Sequence, residues 1–289
     1  MNLQAFWSRL TLVGEYVLDS PLRIGTGGDG VALDHEKQPM IPASSFRGAL
    51  RAYVESTLRG LSVAGQETRR TINLRGPDGR PTPTQRIVKL CCDSVDKRDD
   101  DLNYQGCLTG AIVSRWEADP VLRPQLDAAL IDCTCQVCRL FGTPWLAGRV
   151  RLADLRIVNG SAAAGLVSRG GLSISRDTDT ALEGSQYQRQ AVPAGTRFSF
   201  HLILENATPA EQGMILVGLR AFQAGLIGLG ADRSRGLGRG HLVIDWWQCR
   251  YVDADQLLGA LLVGTDPQVF TEDEAELRIN ALADLLRTP

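Results

Sequence analysis

Hydrophobic positions along the chain switch repeatedly between two periods. Over residues 8–24 apolar side chains recur at nearly every second position (Leu10, Leu12, Val13, Tyr16, Val17), which predicts a half-buried strand running into the loop Gly25-Thr-Gly-Gly-Asp-Gly30. Ile41-Pro-Ala-Ser44-Ser45 then offers a hydroxyl N-cap, and Phe46, Leu50, Tyr53, Val54 and Leu58 follow at helical spacing. Alternation returns over 149–158 (Val150, Leu152, Leu155, Ile157), with a slip near Ala153 and Asp154, and over 196–204 (Phe198, Phe200, Leu202, Leu204). A second helix is predicted from Pro209, capped by Thr208, to Phe222, and a last strand over 241–247. About ninety residues separate the first helix from the next strand, far more than a normal connection, so residues 60–145 form an insertion. The order β-α-(insertion)-β-β-α-β predicts an α+β protein with a modified ferredoxin-like fold, the topology shared with RNA-recognition modules.

Between the second helix and the last strand lies the most distinctive segment. Residues 225–240 hold six glycines and three arginines, Arg233, Arg235 and Arg239. Glycines allow positive φ and a close approach of ligand to main-chain N–H groups, while guanidinium forks match phosphate oxygens. A dinucleotide fingerprint needs strand, glycines, then helix, and here the order is reversed; the Gly-Lys-Ser/Thr of a nucleotide-triphosphate loop is absent. A polyanion held along its backbone remains, against the plainer reading of a glycine-rich turn with solvated arginines.

Composition adds little until charge is mapped. The chain has 289 residues, 44% hydrophobic and 22% charged, with a net charge of −2. No run approaches the roughly 18 apolar residues of a membrane span, and residues 1–9 lack a signal pattern, so a cytoplasmic protein is expected. Arginines cluster at Arg47/Arg51, Arg69/Arg70/Arg75/Arg80, Arg149/Arg151 and Arg233/Arg235/Arg239, and local fields of this kind outweigh the average for nucleic-acid binding. Residues 66–88 read as a polar, basic arm that orders on RNA.

Six of the seven cysteines fall between positions 91 and 138, ending in a C-x-x-C at Cys135 and Cys138. With Cys92 and Cys107 these make a four-thiolate structural zinc site, and Cys91 and Cys133 are alternates. Disulfides are disfavoured by a cytosolic setting. Catalytic zinc is disfavoured because no His-Glu pair lies nearby; His35, His201 and His241 are scattered.

Four segments in the same order carry a resemblance: Ile41-Pro-Ala-Ser-Ser-Phe-Arg-Gly-Ala-Leu-Arg51, Cys138-Arg-Leu-Phe-Gly-Thr-Pro-Trp145, Ile174-Ser-Arg-Asp-Thr-Asp-Thr180 and the glycine loop. Together they resemble the RAMP superfamily of CRISPR effector proteins, above all the backbone subunits of type III complexes, including the III-D and III-E branches. Ala43 departs from the family's usual glycine. The resemblance implies a guide-gripping RRM-like domain over 1–248, a β-hairpin thumb over 165–192 and a helical C-terminal extension over 249–289, which either docks a neighbour or packs on its own domain. It implies CRISPR guide RNA, target RNA and other effector subunits as partners.

The site residues follow from the same resemblance. Ser44 and Ser45 open a helix whose N–H groups attract anions, and with Arg47 and Arg51 they make a phosphate clamp. Arg233, Arg235, Gly236, Gly238 and Arg239 are similar to the guide-holding loop, and Arg169 and Arg176 lie in the thumb. The catalytic aspartate of the family precedes the Ile-Pro-x-Ser-Ser helix, where Asp29 is favoured over Asp34, acting with a divalent cation (Mg or Mn) on target RNA. A non-cleaving structural subunit, or an endoribonuclease that processes guide RNA, is the alternative.

Overall fold

The computed structural model describes residues 6–25, 30–61, 68–75, 81–88, 91, 113–114, 117–120, 123–126, 134–158, 160–161, 165–171, 177, 180 and 187–287. In chain order the elements are β1 (Ser8–Leu18), β2 (Met40–Ile41), α1 (Ala43–Leu61), β3 (Thr68–Arg75), β4 (Pro81–Val88), α2 (Gln136–Phe141), β5 (Val150–Leu152) and β6 (Leu155–Arg156). There follow β7 (Val167–Gly171), β8 (Tyr187–Ala191), β9 (Arg197–Glu205), α3 (Pro209–Gln223), β10 (Gly240–Ile244), β11 (Arg250–Asp253), α4 (Ala254–Val263), β12 (Gln268–Val269) and α5 (Glu272–Arg287). The chain is a mixed α+β protein built on an antiparallel sheet.

β1 is the centre of that sheet. Along one edge it pairs with β9 from Arg9↔Glu205 to Val17↔Arg197. Its other edge is shared: Gly14–Leu18 pairs with β10 and Ser8–Thr11 with β11. The break between those two partners is the turn after Ile244, where Asp245 donates its N–H to the Val13 carbonyl (2.9 Å). β5 lies outside β9 and β12 outside β11, all antiparallel. Residues 249–287 hold the helices α4 and α5 and also join the sheet through β11 and β12.

Alternation explains which face is covered. Leu10, Leu12 and Tyr16 of β1, with Phe198, Phe200, Leu202 and Leu204 of β9, are buried under the helices. Phe46 of α1 stacks on Phe222 of α3 at 4.1 Å between ring centroids, and Tyr16 meets both edge-on at 5.8 and 6.0 Å. Such aromatic pairs add about 0.5–1.5 kcal/mol each beyond area burial. This cluster locks both helices to the middle of the sheet.

The predicted helix limits meet two different outcomes. α3 starts as expected, with a capping box between Thr208 and Glu211. Glu211 is 1% exposed and pairs with Arg149 and Arg139, so its carboxylate also ties α3 to β5 and α2. α1 instead begins at Ala43, one residue before the serines, and its first N–H is capped by the Asp154 carboxylate (2.8 Å). Asp154 lies at the slip between β5 and β6, where the chain leaves the main sheet to pair β6 with β2. Within the stretch read as a basic arm, β3 and β4 pair antiparallel, with Arg70 opposite Arg86.

α5 covers α3 through Ala275 and Leu282. The contact is close: a Cβ built on Gly213 would lie 2.3 Å from the Arg278 carbonyl oxygen. Gly213→Ala is therefore expected to destabilise the protein by about 1–3 kcal/mol through overpacking, read as a lowered urea midpoint at unchanged slope.

Candidate nucleic-acid interface

The glycine loop is stitched to the segment that follows β1. Gly238 donates to the Pro21 carbonyl (2.9 Å), Ala231 to the Arg23 carbonyl (2.8 Å), and Asp19 and Ser20 both donate to the Arg239 carbonyl (3.0 and 3.2 Å). Two glycines make this possible. Gly230 and Gly238 have φ of 75° and 79°, and a Cβ on them would stand 2.2 Å from the Arg23 oxygen and 2.0 Å from the Leu229 oxygen. Between them Arg233–Arg235 form a short 3-10 turn. Arg233, Arg235 and Arg239 are exposed; Arg233 reaches the Gly228 carbonyl at 3.4 Å.

Strands β7 and β8 form an antiparallel hairpin whose base packs on this loop. Arg169 and Arg189 are direct cross-strand partners. Arg189 donates to both oxygens of Asp232 (2.9 and 2.8 Å), Arg235 lies 3.4 Å and Arg23 3.5 Å from the same carboxylate, and together with Arg169 they line a cleft of about 120 Å³. Asp232 adopts φ of 58°, a left-handed conformation that aspartate tolerates. The Arg189 hydrogen bonds, then the charges of Arg189, Arg235 and Arg23, outweigh burial and hold the Asp232 carboxyl below its ordinary value of 3.8. Neither Arg23 nor Arg189 stood out from the sequence. The signal for Arg189 was its position in the returning strand, which needs the hairpin register to be read.

The loop that carries Asp29 leaves and rejoins the fold beside this cleft. Ile24 follows Arg23 directly, and Ala32 donates to the Ile24 carbonyl (2.7 Å), closing the loop's base. Asp29 itself lies outside the described residues, as do Arg176, Cys92, Cys107 and Cys133. Asp34 is described, and its role is local. One carboxylate oxygen accepts from the N–H groups of Glu36 and Gln38, both at 2.9 Å, across a turn in which Lys37 has φ of 61°. That turn joins Leu33 to Pro39.

At the start of α1, Ser44 is exposed and Ser45 half-buried. Arg47 and Arg51 do not accompany them outward. Arg47 donates to the Phe141 carbonyl, and Arg51 reaches Glu55 (2.7 Å), the Gly142 carbonyl (3.3 Å) and the Cys138 sulfur (3.5 Å). Burial, then the charge of Arg51, lowers the Arg47 pKa. Through these contacts Arg47 and Arg51 brace α1 against α2. Beside them lies the C-x-x-C turn: Cys135 caps α2, its Sγ accepting the Cys138 N–H at 3.3 Å, and both thiols are buried. Buried sulfurs held by N–H and guanidinium donors suit thiolate ligands, so this half of the predicted site fits zinc. Among the described residues no three metal-ligating side chains gather.

On β1 and β9 the open face of the sheet presents Arg9, Thr11, Val13, Glu15 and Val17, and Arg197, Ser199, His201, Ile203 and Glu205, so it offers no Phe, Tyr or Trp there and His201 as its aromatic ring. Its arginines are also paired: Arg9 and Arg151 with Glu205 (both 2.7 Å), and Arg197 with Glu15 (2.6 Å). Among the described residues, exposed arginines also lie along the glycine loop and hairpin base.

The exposed arginines of the glycine loop thus lie at one edge of a mixed α+β fold with an antiparallel sheet. The chain belongs to the RAMP superfamily, whose family model matches residues 15–241, and this membership makes it a CRISPR-associated RNA-binding protein with CRISPR RNA and effector subunits as partners. No curated protein matches it significantly. Among the described residues no helix is long and apolar enough to cross a membrane.

Asp232 gives the interface an acid-sensitive element. Its native pKa lies below the unfolded one, so its stabilising contribution is complete above the unfolded value of about 3.9 and is lost as pH falls through the native value. The difference in urea midpoint between wild type and Asp232→Asn is expected to stay constant from neutrality down to about pH 4 and to shrink toward zero as the pH falls further.

Proposed function

We propose that the protein is a backbone subunit of a type III CRISPR effector complex that holds guide RNA and cleaves complementary target RNA. The observation that carries this reading is convergence: the arginine-bearing glycine loop, the base of the β7–β8 hairpin and both ends of the Asp29 loop meet at Pro21–Ile24. A guide held here needs no base-specific contact, because pairing reads the sequence and the protein reads only backbone and shape. Arg233, Arg235 and Arg239, with the main chain at Gly236 and Gly238, would hold guide phosphates, and the exposed Ser44 at the helix start would add donors. The β7–β8 hairpin is read as the thumb. A modified ferredoxin-like fold is supported by the strand sequence β5-β9-β1-β10, with α1 and α3 as the connecting helices.

Asp29 is the proposed catalytic residue. Asp34 is the weaker candidate because one of its oxygens already holds the 34–38 turn. A divalent cation, Mg or Mn, would supply charge stabilisation at the scissile phosphate. Asp29→Ala in the assembled complex is expected to abolish target cleavage at this subunit's position and leave guide binding intact; cleavage at the wild-type rate overturns the assignment. Simultaneous Arg233→Ala and Arg239→Ala should weaken guide binding and flatten its salt dependence by about 0.7 per lost phosphate contact.

Structural zinc on Cys92, Cys107, Cys135 and Cys138 belongs to the same proposal. The purified chain should carry about one zinc per molecule by elemental analysis, and Cys135→Ser should lose it with a fall in thermal midpoint. Retention of the metal in that variant would point to Cys91 or Cys133.

A further inference from the structure

α4 carries more apolar surface than the fold covers. Of its ten residues only Asp255 and Gln256 are polar, and a helix apolar on nearly every side needs partners on more than one of them. Yet Leu258, Leu262 and Val263 are 60%, 79% and 77% exposed. Leu258 and Leu262 stand one turn apart and make a continuous stripe along the helix. The rim of that stripe is acidic, for residues 254–277 hold six acids and no lysine, arginine or histidine. The chain gathers these acids around α4. A Cβ on Gly259 would lie 3.0 Å from Thr265 Oγ1, which sets Asp266 beside the middle of the helix. Gln256 donates to Gln268 (3.4 Å) and Gln268 to Glu274 (3.1 Å), tying the first turn of α5, with Glu272 and Asp273, to α4. Asp255, Asp266, Glu272 and Asp273 are all exposed.

The complement to this surface is present in the same chain. β3 and β4 hold four arginines, Arg69, Arg70, Arg75 and Arg86, and no acid. Their antiparallel register puts positions 70, 72, 74, 86 and 88 on one face, so Arg70 and Arg86 share it with Ile72, Leu74 and Val88. We propose that α4 is a docking surface for the β3–β4 hairpin of a second copy of this chain. Apolar side chains supply the area, and the opposite rims set the orientation and disfavour α4 against α4, whose like charges repel. Because the two surfaces are different patches, the contact is head-to-tail, and every docked pair still presents one free hairpin and one free α4. Association of this kind is open-ended and needs no nucleic acid. It therefore goes beyond the RNA-holding reading and does not depend on it.

The test is sedimentation velocity of the full-length chain, freed of RNA by nuclease, over a range of protein and salt concentrations. The wild type is expected to self-associate as its concentration rises, and less as salt is added. Leu258→Ser with Leu262→Ser, and separately Arg70→Glu with Arg86→Glu, should each weaken association about tenfold or more at an unchanged urea midpoint. Mixed in equal amounts, the two variants should form a dimer and stop there, since each retains the surface that the other lacks. Should the serine variant fail to fold, Asp266→Lys with Asp273→Lys takes its place, both side chains being exposed. A wild type that stays monomeric at low salt, or a mixture of variants that does not pair, overturns the proposal. So does an Arg70→Glu, Arg86→Glu protein that associates like the wild type but loses affinity for a labelled oligoribonucleotide, which assigns the hairpin to RNA instead. The Arg233→Ala, Arg239→Ala protein should associate as the wild type does; if it loses RNA while the wild type never self-associates, the docking surface falls and the RNA-holding reading stands.

Discussion

The functional edge depends on two places where main chain meets main chain without a side chain between them. At Gly230 and Gly238 the loop lies against the carbonyls of Arg23 and Leu229 at distances that any Cβ would forbid. The hydrogen bonds that result, such as Ala231 to Arg23 and Gly238 to Pro21, contribute only about 1 kcal/mol each, so their importance is geometric. They set the loop arginines beside the strand end that leads into the Asp29 loop. Without them the basic groups, the hairpin and the acidic loop would have no common origin.

The arginines divide by what surrounds them. Arg47 and Arg51 of α1, Arg139 of α2 and Arg149 before β5 are drawn inward to carbonyls, a cysteine sulfur and the buried carboxylate of Glu211, and they brace the covered side of the fold. Those on the open sheet face pair with Glu15 and Glu205. At the glycine loop and hairpin base, Arg169, Arg233, Arg235 and Arg239 are exposed and concentrate positive potential there. Local placement explains how a protein with a net charge of −2 belongs to an RNA-binding family.

Much of the architecture was legible because apolar periodicity reports burial directly. Leu10, Leu12 and Tyr16 marked β1, and Phe198 to Leu204 marked β9, since each has one face under helices. The Thr208 cap was also readable, being local. What escaped were features decided by distant partners. The Asp154 cap on Ala43 comes from a segment far along the chain, so the serines looked like the cap from their own neighbourhood. Arg47 and Arg51 had the spacing of a surface clamp, but the adjacent carbonyls of Phe141 and Gly142 could not be inferred from it. Likewise Arg23 and Arg189 join the site only through Asp232, a long-range contact with no sequence pattern. β11 and β12 were hidden because each is short and lies next to strongly helical stretches.

The ends of the main sheet bear on how a second chain could adjoin it. Among the described residues β12 contributes two residues at one border and β5 three at the other, so neither offers a long ladder of unpaired amides to a second molecule. Extension of the main sheet by a foreign strand is thereby discouraged at both borders.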